Sequence, residues 1–182
     1  MLIWVFVIAG AVILDQLSKW LIVTYLPEGG FDIIKDVLRF TYVENRGAAF
    51  GMLSDHRWVF IVVSTLALAA LGFYLFKYKP GGTLARMSMS FIIGGGIGNM
   101  IDRALLSYVV DFIDFCAFPK IWMWVFNVAD AFVCVGAGML MLYLVMETVK
   151  EIKAEKAKKA QVAVASTASE DSAPSDQDKS NE

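Results

Sequence analysis

Four long apolar segments decide what this chain can become. They run over residues 2–23, 58–76, 87–106 and 121–146, and each is near the roughly 20 residues a helix needs to cross the hydrocarbon core of a bilayer. Of the 182 residues, 58% are hydrophobic, against about 45–50% apolar residues in a soluble domain. The expected fold is therefore an all-α membrane protein: four transmembrane helices, a small outward-facing β-sheet, and both termini cytoplasmic. The first segment has no basic start and no small-residue cleavage site, and it carries Asp15 and Lys19. It reads as a retained span rather than a signal peptide.

Loop charge orients the spans. The link "KYKPGGTLAR" holds Lys77, Lys79 and Arg86 and no acid, and "ETVKEIKAEKAKKA" follows the fourth segment. Lys and Arg mark the cytoplasmic side, so 24–57 and 107–120 face outward, the second as a loop. Within 24–57, Val37, Phe40, Tyr42 and Val43 suggest strands and Asn45–Gly47 a turn. Residues 1–150 read as one membrane domain. Residues 151–182 read as a charged tail, disordered from Gln161 on because Ser, Ala and acids cannot bury a core. Cys116, Cys134 and the single His56 have no metal-binding spacing. No metal, cofactor or nucleic-acid partner is expected.

The informative residues are polar ones inside oil. In "LDQLSKW", Asp15 and Lys19 lie four apart on one helix face, and mutual neutralisation makes them structural. In "GGGIGNMIDRALL", Asn99, Asp102 and Arg103 share a face, and four glycines allow close helix approach or leave room for a ligand. Asp111 and Asp114 sit in an apolar outward loop. Asn127 and Asp130 lie near the outer end of the fourth span, with no basic residue before Lys150. An intramembrane acid without a local partner marks a functional site. Asp111 lies at a similar depth, and two close carboxylates share a proton: one accepts a proton from water while the other donates to a carbonyl. A proton- or ion-coupled transporter uses the same residue types and remains the alternative.

Five motifs in order, "LDQLSKW" (14–20), "VENRGAAFG" (43–51), "GGGIGNMIDR" (94–103), "VVDFIDF" (109–115) and "FNVADAFV" (126–133), resemble those of bacterial signal peptidase II. That resemblance implies an intramembrane aspartyl endopeptidase of the bacterial cytoplasmic membrane, with its site near the periplasmic face. Such enzymes cut prolipoproteins on the amino side of a diacylglyceryl-modified cysteine. It implies Asp111 and Asp130 as the catalytic pair. Asn45, Gly47, Phe50, Asn99, Arg103, Asn127 and Ala129 would bind substrate or support the pair, and Asp15, Lys19 and Asp102 would be structural. The implied partners are diacylglyceryl-modified prolipoprotein signal peptides and membrane lipid, and the implied state is a monomer.

Overall fold

The computed structural model describes residues 1–47, 57–117 and 124–170. Helix α1 (Leu2–Tyr25) is followed by strands β1 (Phe31–Ile34) and β2 (Leu38–Asn45). Helix α2 (Arg57–Phe73) continues as a π-helical turn, Tyr74–Tyr78, and helix α3 spans Thr83–Leu105. Strands β3 (Val109–Phe115) and β4 (Val125–Phe126) precede helix α4 (Val128–Glu170). The chain divides into two compact units, Met1–Met141 and Leu142–Glu182, with the boundary inside α4.

Among the described residues, three helical stretches are long and apolar enough to cross a membrane: Leu2–Tyr25, Ile61–Tyr78 and Val128–Lys159. Helix α1 shows why a bilayer suits them. Asp15 and Lys19 are buried, while Leu2 is 69% and Phe6 65% exposed. Polar groups inside and apolar groups outside reverse the pattern of a helix in water and match one in lipid.

Helix α3 has the length of a span but a less apolar sequence, because glycines and polar residues fill it. It packs among the other three helices of the first unit. Successive helical residues turn by about 100°, so the glycines face different neighbours. A side chain at Gly94 would strike Ala11 of α1, one at Gly95 the Ala129 carbonyl of α4, one at Gly96 Leu68 of α2, and one at Gly98 Asp15. The sequence left open whether these glycines make room for a ligand. The protein's own helices occupy those positions.

The four strands form an antiparallel sheet in the order β1-β2-β3-β4. Residues 109–115, expected as loop, form β3, one of the two inner strands, paired with β2 and β4. Their β-branched and aromatic residues suit such a position, and Val109 to Phe112 are buried. A bulge between Phe40 and Val43 re-aims the end of β2, so that Val43 lies opposite Asp111 and Asn45 opposite Val109.

Two other boundaries shift. Helix α4 begins at Val128, with Val125–Phe126 in the sheet, whereas the apolar run suggested a start near 121. It extends to Glu170, so 161–170 is helical where composition suggested disorder. At the end of the first unit away from the sheet, Trp4, Leu75, Met89 and Ile93 form a buried apolar cluster.

Candidate active site

At the start of α4, "NVAD" forms a reciprocal cap. The Asp130 amide donates to Asn127 Oδ1 at 2.9 Å, and the Asn127 amide donates to Asp130 Oδ2 at 3.2 Å. This is the geometry of a capping box, with Asn and Asp in the usual Ser and Glu places. It satisfies two helix-end amides and holds the Asp130 carboxylate at the mouth of the helix.

Asn127 then reaches outward. Its Nδ2 donates to Asp111 Oδ1 at 2.6 Å and to Asn99 Oδ1 at 2.9 Å. One asparagine therefore touches both acids that the sequence singles out. Asp111 Oδ2 accepts from Asn45 Nδ2 at 2.8 Å, and Asn45 Oδ1 accepts the Gly47 amide at 3.2 Å. The expected turn at Asn45–Gly47 thus fixes the side chain that meets Asp111. Asn99 Nδ2 donates to Asp130 Oδ1 at 2.8 Å.

Beneath the two acids lies an ionic core. Lys19 Nζ contacts Asp15 Oδ2 and Asp102 Oδ2, each at 2.9 Å, and Asn99 Oδ1 at 3.0 Å. Three acceptors use the three donors of an ammonium. The Asp15–Lys19 pair expected from spacing is present, and Asp102 is a third member. The Ala129 amide donates to Asp15 Oδ1 at 2.9 Å, and the Val110 amide donates to Asp102 Oδ2 at 3.0 Å. Ala129 is itself fully buried. Arg103 Nη1 donates to the Asn99 carbonyl at 3.4 Å. Phe50 and His56 lie outside the described residues.

Burial divides the two acids. Asp111 is 2% exposed, while Asp130 is half-buried. The Asp111 pKa is raised to about 6, with burial the largest cause. Within that net rise the Asn45 and Asn127 hydrogen bonds work against burial, and the nearby Asp130 charge works with it. Such a carboxyl can hold a proton close to neutral pH.

Asp114 stays apart from this network. It pairs across the sheet with Arg39 and with Val125. Gln16 was not singled out from the sequence. Its Nε2 donates to Asp102 Oδ1 at 2.8 Å, and to the Gly98 carbonyl and Asp15 Oδ2, each at 3.2 Å. The available signal was an uncharged polar residue beside Asp15 inside an apolar run.

Helices of membrane-spanning character, a small sheet and two carboxylates joined through one asparagine suit a membrane hydrolase of the aspartyl type. A model of the family described as Signal peptidase (SPase) II matches residues 7–146. The chain belongs to the signal peptidase II family and is a peptidase.

It is 47% identical over 141 residues to the lipoprotein signal peptidase of Caldanaerobacter subterraneus subsp. tengcongensis, covering 75% of this chain and 94% of the relative. It is 41% identical over 144 residues to that of Clostridioides difficile, covering 79% and 95%. A solved structure described as a bacterial membrane enzyme superposes with a TM-score of 0.74 at 30% identity, covering 81% of this chain and 90% of the other. These relatives lend no support to the transporter reading.

Proposed function

We propose that this chain removes signal peptides from prolipoproteins, cleaving on the amino side of the diacylglyceryl-modified cysteine with Asp111 and Asp130 as its catalytic pair. The supporting observation is Asn127, which donates to Asp111 from its side chain and to Asp130 from its backbone. The ionised carboxylate takes a proton from water as the water adds to the scissile carbonyl. The protonated carboxyl donates to the carbonyl oxygen, and collapse of the tetrahedral intermediate passes a proton to the leaving amine. The half-exposed Asp130 is the side from which water and substrate reach the pair.

The membrane arrangement belongs to the same proposal. Helix α3 spans with the other three helices, both termini are cytoplasmic, and the pair works near the periplasmic face of the bacterial inner membrane. The basic residues after "ETV" and in 77–86 support this orientation. The scissile bond adjoins a lipid-bearing cysteine, so it must be met at the membrane surface, where the sheet meets the ends of α3 and α4. Asn45, Gly47, Phe50, Asn99, Arg103, Asn127 and Ala129 support the pair or contact substrate. The enzyme acts as a monomer on a lipidated signal peptide within the bilayer.

Purified wild type, Asp111→Asn and Asp130→Asn are incubated with a diacylglyceryl-modified prolipoprotein, and cleavage is read by gel shift. Wild type cleaves, and each variant loses activity completely while still inserting into membranes. Normal cleavage by either variant would sink the dyad assignment.

A further inference from the structure

We infer that Gln16 is a positioning residue that, with Lys19, fixes the separation of Asp111 and Asp130. The inference rests on the reading above, in which those two aspartates perform the chemistry. Asp102 holds the amide of Val110, the residue immediately before Asp111. Asp15 holds the amide of Ala129, the residue immediately before Asp130. Whatever joins Asp15 to Asp102 therefore joins the two backbone segments that lead directly into the pair.

Lys19 and Gln16 both make that joint. Lys19 Nζ lies 2.9 Å from each carboxylate, but an ammonium on a flexible stem acts as a point charge with little directional preference. A carboxylate's terminal torsion is also soft. Asp102 held by Lys19 alone could turn either oxygen toward Val110. Gln16 removes that freedom. It donates to Asp102 Oδ1, which leaves Oδ2 for Lys19 and the Val110 amide. The same amide group is anchored on the Gly98 carbonyl and touches Asp15 Oδ2. The absence of a side chain at Gly98 allows this approach, since a Cβ there would strike Asp15 Oδ2.

The full-length enzyme tests this as wild type, Gln16→Met and Gln16→Glu, assayed on a diacylglyceryl-modified prolipoprotein across pH. Methionine keeps the unbranched shape without a donor. It lowers kcat about ten- to a hundredfold, the scale of a small misplacement of reacting groups, and leaves KM within about twofold. Glutamate carries a donor only when protonated. It faces Asp15 and Lys19 of α1 and Asp102 of α3, so its activity relative to wild type rises toward acid pH.

A Gln16→Met kcat within about twofold of wild type overturns the inference, as does a Gln16→Glu profile parallel to wild type. The second measurement decides if Gln16→Met fails to fold. A wild type that does not cleave sinks the peptidase reading itself. A wild type and a Gln16→Met that cleave equally sink only the role of Gln16.

Discussion

The first unit has two interiors of opposite character. Around Trp4, Leu75, Met89 and Ile93 the contacts are apolar. Around Asp15, Lys19, Asp102, Asn127 and Asp111 they are hydrogen bonds and ion pairs between buried groups. In water the first would dominate stability. In a bilayer, lipid tails are as apolar as the cluster itself, so it gains mainly packing. The polar interior has no alternative partner in lipid, and each group left unpaired costs roughly 1–3 kcal/mol. The polar end should therefore tolerate substitution far less than the apolar end, and in activity more than in stability.

The largest effect after loss of an aspartate itself is expected at Asn127. Alanine there removes the helix cap, worth about 0.5–2 kcal/mol, and the bridge to Asp111 and Asn99. Cleavage should fall by about a hundredfold or more, with a lower melting temperature. Serine separates the two roles, because it restores the cap but cannot reach Asp111. Asn127→Ser should recover melting temperature and not activity. Recovery of both would show that the cap alone matters.

A second test uses glycines in similar helices. Gly98→Ala drives a methyl into Asp15, which is held by Lys19 and the Ala129 amide. Gly10→Ala meets nothing within 4 Å and should gain up to about 1 kcal/mol of helix propensity. Melting and cleavage measured together should show Gly98→Ala losing both and Gly10→Ala losing neither. Equal behaviour would mean that the α1–α3 approach around Asp15 is loose.

These sites also show what a single chain of letters reveals. Three of the four apolar runs were legible as helices able to cross a membrane, because a bilayer sets segment length directly. Asp111, Asn127 and Asp130 stood out because a polar group in oil needs a reason, and the structure brings them together. The strand at 109–115 was missed because a short link with two acids resembles a loop. Asp111 fits a buried strand only because Asn45 and Asn127, distant in sequence, satisfy it. Asp15–Lys19 was visible as an i,i+4 pair, but Asp102 as the third member depends on α1 packing against α3. The glycine directions could have been read from helical rotation alone. What occupies them could not.

Asn45 offers a milder perturbation whose sign follows from the charge it serves. Its hydrogen bond favours ionised Asp111 and limits the rise that burial drives, to about 6 with the bond in place. Asn45→Ala removes that help, so the Asp111 pKa rises further. The alkaline limb of kcat/KM, a property of the pair, should move to higher pH, with a modest loss of rate.

The linked stability effect has a definite sign too. With a native pKa above the ordinary 3.8, Asp111 holds a proton that the unfolded chain has released. It therefore favours folding at the acid end of that window, and the benefit declines as pH rises toward 6. Asn45→Ala should extend the decline to higher pH. An alkaline limb unchanged or shifted to acid would show that Asn45 does not serve the charged carboxylate.

The smallest effect is expected in the apolar interior. Ile93 is 5% exposed, and Ile93→Val deletes one methylene, which costs about 0.5–1.5 kcal/mol in a packed core. The melting temperature should fall by a few degrees, in the range of about 2–4 °C per kcal/mol for a chain of this size. Cleavage per folded molecule should be unchanged, because nothing in the network from Lys19 to Asp111 touches the lost atom. Ile93 precedes the glycines that seat α1 and α4 on α3. A fall in kcat without a fall in melting temperature would therefore mean that packing at the apolar end sets the spacing of the acids, and the two interiors would have to be treated as one.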